Sequence, residues 1–341
     1  MTGSAYGLYS TLPLSVMSAS SRPVVVMKFG GTATGSVGRM RTIGAVVQKA
    51  QTSVRPVLVV SALSGVTRRL DRGLQAVVAA REASGTAVDA VIDALLADLK
   101  TRHQTQAREV LSKAQATTYA DTLQQQLKAL RIRLNTVADT GFTPALRDAV
   151  LATGEQLSVP MVVATLRDQG LHAQAGDATA LLQTDATYGE ANVHLEPSKA
   201  RIADWFAALP DEVVPVVAGF IGADANGTTT TLGFEGSDYT AALLASFLYA
   251  DSLTRFTDVD GIYTADPNTD AAAQRLNRLT MEQAFAWTES GRLGMHPKTL
   301  RPIAEQAIPM QVRSIDRPTA PGTQIVPDAA GTPAFWPPLT A

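Results

Sequence analysis

The stretch Pro23-Val-Val-Val-Met-Lys-Phe-Gly-Gly-Thr32 sets the expected fold of this chain. Its continuous run of β-branched residues is typical of a short strand that is buried on both faces, and the glycine pair ends that strand. A helix is predicted over residues 37–52, and Pro56-Val-Leu-Val-Val-Ser61 predicts a second buried strand, followed by a glycine turn at Gly65. Strand, glycine turn, helix and strand in this order predict a βαβ unit within a parallel sheet.

The pattern extends along the rest of the chain and predicts an α/β protein. Residues 69–140 are helical in pattern, with apolar side chains recurring every three or four positions, and we expect two or three helices there. These helices are interpreted as a lid or packing subdomain in preference to a coiled-coil partner site. Helix and strand patterns resume at 145–165 and 170–175; further strands are predicted at 213–220, 251–257 and 310–314, and further helices at 198–208, 239–250 and 280–290.

Composition excludes several functional classes. The 341 residues are 45% hydrophobic, enough to bury a sizeable core. The net charge is -2, from 29 basic and 31 acidic residues, which gives no reason to expect nucleic acid or a membrane surface as a partner. The chain has no cysteine, so disulfides and thiolate metal sites are excluded, and its four histidines are not spaced as zinc ligands.

The two ends of the sequence are expected to lie outside the folded domain. Residues 1–22 are rich in serine, threonine and glycine and lack the cationic start of a secretory signal, so a flexible extension is predicted, with an ordered arm as the alternative. Residues 326–341 are predicted to be a tail. No continuous apolar run reaches the roughly 18 residues needed to span a bilayer, which favours a cytoplasmic protein.

Two glycine-rich segments are candidate anion sites. Gly219 to Leu244 runs from a predicted strand through glycines and hydroxyls into a helix, and such a junction presents backbone N–H groups to a phosphate or carboxylate. Lys28 ends the first strand just before Gly30 and Gly31, at the edge of the sheet where ligands bind in this fold class. A lysine there could neutralise a phosphoryl group; alternatively, it points into solvent.

Four other polar positions permit both a functional and a structural interpretation. Ser61 could hold an anion or cap a helix, and Asp238 could cap a helix or orient a lysine. Glu155, which follows a predicted glycine turn, could bind a substrate ammonium group or complement a helix dipole. Tyr263, in Thr257-Asp258-Val259-Asp260-Gly261-Ile262-Tyr263, could stack on a nucleoside while an aspartate holds the ribose.

Taken in order, these segments resemble the aspartate kinases of the amino acid kinase superfamily. The resemblance covers residues from about 24 to 326. It rests on the following motifs: Lys28-Phe29-Gly30-Gly31-Thr32, Val60-Ser61-Ala62-Leu63-Ser64-Gly65-Val66-Thr67, Gly154-Glu155, Thr184-Asp185 through Tyr188-Gly189, Gly219-Phe220-Ile221-Gly222, Thr229-Thr230-Thr231-Leu232-Gly233, Gly236-Ser237-Asp238-Tyr239-Thr240-Ala241, Thr257-Asp258-Val259-Asp260-Gly261-Ile262-Tyr263-Thr264, His296-Pro297 and Pro321-Gly322-Thr323.

The resemblance implies a three-layer αβα sandwich around a mainly parallel sheet. It implies a catalytic domain over residues 23–325, with a substrate lobe over 23–210 and a nucleotide lobe over 211–325. The implied activity is ATP- and Mg²⁺-dependent phosphorylation of the side-chain carboxylate of aspartate, or of a related amino acid, to an acyl phosphate. The magnesium ion would be held mainly by the ATP phosphates, and a homodimer is implied.

The resemblance also assigns roles to individual residues. Lys28 would stabilise the transferring phosphoryl group and Asp238 would organise the centre. The implied substrate-binding residues are Thr32, Ser61, Glu155, Phe234 and Ser237, with Glu155 holding the substrate amino group. The implied nucleotide-binding residues are Gly30, Gly31, Thr257, Asp258, Tyr263, Asp266, Arg292 and Lys298.

The sequence departs from the family pattern in two places. The usual Gly-Arg-Gly-Gly-Ser-Asp, whose arginine grips a substrate carboxylate, is here Gly233-Phe234-Glu235-Gly236-Ser237-Asp238. The usual Gly-Ala-Lys-Val-Leu-His-Pro is Gly291-Arg292-Leu293-Gly294-Met295-His296-Pro297, with leucine in place of a nucleotide-contacting lysine. Arg292 or Lys298 could reach the same phosphates. The regulatory domains that usually follow are not expected in the few residues after position 326, so feedback control by lysine or threonine through such domains is not expected.

Two alternatives remain open from the sequence. The departures are compatible with a catalytically weak homologue that serves as a binding or scaffold partner of an active kinase. A kinase acting on carbamate, acetylglutamate or a nucleotide would explain the first lysine-glycine segment. It would leave the Ser237-Asp238-Tyr239-Thr240-Ala241 and Thr257-Asp258-Val259-Asp260-Gly261 segments unexplained.

Overall fold

The computed structural model describes residues 22–83, 87–267, 269–289 and 293–327. The strands in these ranges are β1 (Val24–Phe29), β2 (Arg55–Val60), β3 (His172–Gly176), β4 (Val213–Ala218), β5 (Ile221–Ala223), β6 (Thr229–Thr231), β7 (Ser252–Thr257), β8 (Arg278–Thr280), β9 (Met310–Ser314) and β10 (Thr323–Val326). The helices are α1 (Gly31–Thr34), α2 (Val37–Gln51), α3 (Val66–Glu82), α4 (Val88–Val110), α5 (Lys113–Thr140), α6 (Pro144–Asp168), α7 (Ala178–Leu181), α8 (Leu195–Ala207), α9 (Gly236–Phe247), α10 (Met281–Glu289) and α11 (Pro297–Glu305).

A single sheet organises the described chain, in the strand order β3-β4-β2-β1-β7-β9-β10-β8. Neighbouring strands are parallel except β9 and β10, which are antiparallel. Strands β5 and β6 form a separate antiparallel pair. The predicted mainly parallel sheet is therefore confirmed. Strand β1 lies at its centre between β2 and β7, as expected for a continuous β-branched run that is buried on both faces.

Helices cover the sheet and complete the predicted three-layer sandwich. Helix α6 packs against α2 and against β2, β3 and β4, whereas α9 packs against β1, β2 and β7. Helix α6 is long and apolar enough to cross a membrane by length and composition alone. However, 83% of its most apolar window is buried inside the protein, as in the core helix of a globular domain.

The predicted helical excursion is confirmed as three helices, α3, α4 and α5. Their buried faces carry leucines at helical spacing, such as Leu123, Leu127, Leu130 and Leu134 on α5. Helix α3 packs against α4, α5 and α6, and α5 packs along α6. The excursion therefore joins the core through the same helix that contributes Glu155.

The fold differs from the sequence expectations at several points; among them, strands β5, β6 and β8 and helix α11 were not predicted. The glycine turn predicted before Glu155 is wrong, because Thr153, Gly154 and Glu155 all lie inside α6. A Cβ on Gly154 would lie 2.9 Å from the Ala62 side chain, so this glycine permits close helix packing. Helix α9 begins at Gly236, three residues before its predicted start, and β9 is followed by one more strand, β10. The predicted extension at 1–22 and tail at 326–341 lie almost entirely outside the described residues.

Candidate active site

A cavity of about 250 Å³ opens where the carboxyl ends of β1, β2 and β4 meet the start of α9. Open α/β sheets bind their ligands at this edge. Four chain segments that are distant in sequence supply its walls. The lining residues are Lys28, Ser61, Thr67, Glu155, Phe220, Gly233, Glu235, Gly236, Ser237 and Asp238. The sequence-predicted residues Lys28, Ser61, Glu155, Ser237 and Asp238 are thus brought together.

The floor of the cavity carries a buried ion-pair network centred on Asp238. Lys28 Nζ donates to Asp238 Oδ2 at 2.8 Å, and Arg255 Nε donates to Asp238 Oδ1 at 3.0 Å. Each carboxylate oxygen therefore has its own cationic donor. Burial acts to raise the pKa of Asp238, but Arg255 and Lys28 outweigh it and hold that pKa below its ordinary value. Asp238 is therefore ionised, and it orients Lys28 as the sequence allowed.

The lysine amine lies in a desolvated environment. Only 6% of Lys28 is exposed. Burial lowers the pKa of Lys28 below its usual range, while the Asp238 carboxylate opposes this shift and Arg255 adds to it. The alternative of a lysine pointing into solvent is therefore wrong. A buried ammonium group attracts an incoming anion strongly, because little water screens the interaction.

Glu155 also lines the cavity, and one of its carboxyl oxygens has no hydrogen-bond partner among the described atoms. Its Oε1 accepts a hydrogen bond from Ala62 N at 3.1 Å, whereas Oε2 is buried without a hydrogen-bond partner among the described atoms. Burial raises the pKa of Glu155 to about 8. A cationic group placed against Oε2 would reverse this shift and satisfy the orphaned acceptor. The carboxyl group is thus suited to a ligand ammonium group.

The loop between β6 and α9 lines the cavity through Gly233 and Glu235. Lys298 Nζ donates to Leu232 O at 2.6 Å, and the Glu235 carboxylate accepts a hydrogen bond from His296 N. Glu235 has a left-handed backbone conformation, with φ of 56°, at the N-cap of α9. Phe234, between Gly233 and Glu235, is 75% exposed. Lys298 therefore tethers this loop in the described structure.

Close backbone approach places α9 against the end of β4. A Cβ on Gly219 would lie 2.5 Å from the Ser237 side chain, so the strand and helix can meet only at a glycine. Phe220 follows with a positive φ of 72°, and its N–H donates to Thr240 Oγ1 at 3.1 Å. This hydrogen bond links the turn after β4 to α9, the helix that carries Ser237 and Asp238.

The predicted nucleotide residues at the end of β7 lie at the same edge of the sheet but do not line the cavity. Thr257 ends β7, and its hydroxyl donates to Asp258 Oδ1 at 3.1 Å. Tyr263 is half-buried, and Asp266 is exposed. Gly30 lies between the end of β7 and the lysine amine. A Cβ on Gly30 would lie 4.0 Å from Phe256 O and 3.5 Å from Lys28 Nζ.

Other residues that the sequence assigned to the site do not line the cavity. Thr32 is exposed on α1, and Gly31 packs where a Cβ would lie 2.9 Å from Ala62 O. Leu293 is buried, so the segment before His296 contributes an apolar side chain to the core at that position. Arg292 lies outside the described residues.

Sequence reasoning did not assign Arg255 to the site, and it did not assign the lining residues Thr67, Phe220, Gly233, Glu235 and Gly236. Among these, Arg255 matters most. A signal for Arg255 was available. Strand β7 is otherwise apolar or hydroxylic, and a charged residue within a buried central strand requires a partner. Lys28 is likewise the one charged residue of the buried strand β1.

The cavity fits an anionic ligand better than a protein-bound metal ion. No group of three or more histidine, aspartate or glutamate side chains within the described ranges is arranged to hold a metal ion. Lys28, the paired Arg255 and the space beside Gly30 instead provide positive charge and room for phosphate oxygens.

The chain is similar to curated aspartokinases over most of its length. It is 32% identical over 322 residues to the lysine-sensitive aspartokinase 3 of Escherichia coli, covering 92% of this chain and 66% of that protein. It is 32% identical to the aspartokinase of Schizosaccharomyces pombe, covering 90% of this chain and 59% of that protein. This chain thus spans less than two thirds of the length of these relatives.

Comparisons with solved structures agree with the sequence comparisons. The crystal structure of Escherichia coli aspartokinase III in complex with aspartate and ADP superposes with a TM-score of 0.80 at 28% identity, covering 92% of this chain and 66% of that one. Clostridium acetobutylicum aspartate kinase, at a TM-score of 0.70 and 19% identity, shares the fold. The model of the amino acid kinase family matches residues 23–314. With this match across most of its length, the chain belongs to the amino acid kinase family.

Proposed function

We propose that this protein transfers the terminal phosphoryl group of ATP to the side-chain carboxylate of aspartate and forms an acyl phosphate. The proposal is supported by the similarity to aspartokinases from a bacterium and a yeast. It is also supported by the similar structure of a relative in complex with aspartate and ADP. The site itself supplies the chemical argument.

The single observation that carries the proposal is that a buried ammonium group and an unpartnered carboxyl oxygen line one cavity. The ammonium group of Lys28 lies on one wall, and the unpartnered Oε2 of Glu155 lies on another. An amino acid with an acidic side chain is matched by this arrangement. Its ammonium group would pair with Glu155 and favour the ionised carboxylate, while its side chain approaches Lys28, where the phosphoryl group would lie.

The residues of this chain act by alignment and charge neutralisation. A carboxylate oxygen attacks the terminal phosphorus, the bond from that phosphorus to the bridging oxygen breaks, and ADP leaves with the electron pair. The attacking carboxylate is already ionised, so no general base is required. Lys28 would stabilise negative charge on the phosphoryl oxygens, and Asp238 would fix the direction of the lysine.

The nucleotide would lie over the ends of β1 and β7. Gly30, Gly31, Thr257 and Asp258 follow these strands, and Gly30 leaves open space beside the lysine amine. Mg²⁺, carried by the nucleotide phosphates, would neutralise part of their charge. Tyr263, Asp266, Arg292 and Lys298 remain proposed nucleotide contacts.

The test is turnover with defined acids. ADP release would be followed with aspartate, glutamate and other acidic amino acids, and the acyl phosphate would be trapped with hydroxylamine. Hydroxamate formed from aspartate in an ATP-dependent manner is the expected result. ADP release without hydroxamate from any acid would overturn the proposal. Omission of Mg²⁺ should abolish turnover.

We infer a cytoplasmic homodimer as the working form, as the resemblance to aspartate kinases implied. Light scattering after size-exclusion chromatography measures the mass directly. A mass of twice 35.9 kDa across a tenfold dilution is the expected result, and a monomer at all concentrations would contradict it. Fractionation of the source cells tests the compartment.

A further inference from the structure

Arg255 lies beside Lys28 in the ladder between β1 and β7. Lys28 and Arg255 are register partners in these two parallel strands, so their side chains extend from the same face of the sheet. Both reach Asp238, one at each carboxylate oxygen. The Arg255 side chain keeps 19% of its surface exposed.

The guanidinium group has donors beyond the one used by Asp238. Its Nε is bound to Asp238 Oδ1, and Nη2 lies 3.3 Å from Gly294 O, a long and weak contact. A guanidinium group has five N–H donors in a planar fork that matches phosphate oxygens. The contact with Gly294 also places Arg255 next to the segment that leads to His296.

The local charge count favours an anion at this position. Two buried or half-buried cations share one carboxylate, which leaves one unit of positive charge from these three groups. Glu235 is the other nearby acidic group, and it is only partly buried. Burial, and after it the neighbouring Asp238, raises the pKa of Glu235, whereas Arg255, the hydrogen bond from His296 N and Lys28 act in the opposite direction.

We propose that Arg255 is a second phosphate-binding cation of the phosphoryl-transfer centre, contacting the terminal phosphates of the nucleotide from the β7 side while Lys28 contacts them from β1. The proposal rests on the proposed kinase function and deepens it. It is also compatible with Leu293 in place of the lysine of the family pattern, because positive charge would then reach the phosphates from β7.

If Arg255 contacts the terminal phosphates, its loss should weaken the binding of ATP more than the binding of AMP. A charge-assisted hydrogen bond contributes about 1.5–3 kcal/mol, which corresponds to roughly a 10- to 150-fold change in a dissociation constant. Loss of Arg255 should therefore weaken ATP binding at least tenfold. It should change AMP binding less than threefold, since AMP lacks the terminal phosphates.

The experiment compares Arg255→Gln, Arg255→Lys and the control Arg131→Gln in the full chain. Arg131 pairs with Asp93 on the surface of the helical excursion, so the control also removes an arginine–aspartate pair. Dissociation constants for ATP and AMP would be measured by titration calorimetry and by displacement of a fluorescent nucleotide. Arg255→Lys should recover part of the lost ATP affinity because it keeps the charge.

The outcomes distinguish the role of Arg255 from its effect on folding and from the proposed activity. Equal losses for ATP and AMP, or no loss, would overturn the proposal, since a purely structural role would not discriminate between the nucleotides. If Arg255→Gln does not fold, the ATP-to-AMP affinity ratio of Arg255→Lys decides, and an unchanged ratio is the contrary result. Wild-type turnover with aspartate tests the proposed function separately, because the nucleotide titrations need no acceptor.

Discussion

Lys28 and Arg255 are neighbours across the β1–β7 ladder and bind the two oxygens of the same carboxylate, Asp238. Asp238 therefore holds both cationic side chains in position beside the cavity. Because each oxygen has its own donor, the position of the lysine amine is set from two strands and one helix. The direction of the Lys28 amine therefore depends on the register of the strands in the sheet core.

Replacement of Lys28 by methionine should abolish most turnover. Removing one preorganised electrostatic donor lowers kcat by about 10²–10³-fold, and the effect should be visible in the ADP-release assay. Stability should fall by less than the roughly 3–5 kcal/mol typical of a broken buried ion pair, because Arg255 still pairs with Asp238. Urea denaturation measures that loss. Turnover within threefold of wild type would show that Lys28 is not at the reacting centre.

Gly30→Ala should impair nucleotide binding while leaving the fold intact. The new Cβ would lie 3.5 Å from Lys28 Nζ, an ordinary contact that fills the space beside the amine. The expected result is a higher KM for ATP with an unchanged melting temperature. Gly38→Ala is the matched control, because its Cβ meets nothing within 4 Å in α2. The control should gain about 0.5–1 kcal/mol in stability. An unchanged KM for ATP in Gly30→Ala would place the phosphates elsewhere.

The raised pKa of Glu155 predicts a specific pH dependence of the unfolding free energy in the ligand-free protein. Its pKa is raised to about 8 in the folded state, from an ordinary value of 4.5, so the folded state holds a proton that the unfolded state has released between these values. The contribution of Glu155 to stability is therefore greatest below pH about 4.5, falls as pH rises and levels off above about 8. Relative to wild type, Glu155→Gln should gain in stability between pH 5 and 8. Parallel curves of unfolding free energy for the two proteins would contradict this assignment.

Substrate binding should release a proton from the same group. A substrate ammonium group against Oε2 would return the pKa of Glu155 toward its ordinary range, so the carboxyl group ionises on binding at pH 7. Calorimetric titration of aspartate in buffers with different ionisation enthalpies measures this release. We expect close to one proton per site in wild type and little in Glu155→Gln. Equal proton counts would place the amino group away from Glu155.

Phe234→Arg should lower the KM for aspartate. Phe234 is 75% exposed beside two residues that line the cavity, so its replacement costs little packing. An arginine there can add charged hydrogen bonds of about 1.5–3 kcal/mol each to a second substrate carboxylate, which predicts a KM at least tenfold lower. Phe234→Gln, which is polar but uncharged, is the control. An equal decrease in both variants would show that charge is not the cause.

The sequence was sufficient for the parallel sheet and for half of the residues that line the cavity. Lys28, Ser61 and Asp238 could be placed because the carboxyl ends of parallel strands meet at one edge, and each follows a recognisable strand or glycine turn. The helical excursion was predictable from apolar spacing alone. These signals are local in the chain, and the fold brings them together.

Other features depend on contacts that are distant in sequence. Gly154 looked like a turn residue, but its lack of a side chain serves close packing of α6 against Ala62. The role of Arg255 depends on its register with Lys28, and no local pattern gives the pairing of two strands more than 200 residues apart. Strand β10 was missed because it is short and pairs antiparallel with β9 in an otherwise parallel sheet.

The helical position of Glu155 has a consequence for how substrate preference can change. Under the proposed function, the ammonium end of the substrate would meet a 25-residue helix whose side chains around Glu155 are mostly buried. The loop at 233–235 also lines the cavity, and its Phe234 is 75% exposed. Chains with this architecture can therefore acquire new acceptors by varying that loop, while the recognition of an amino acid backbone stays fixed.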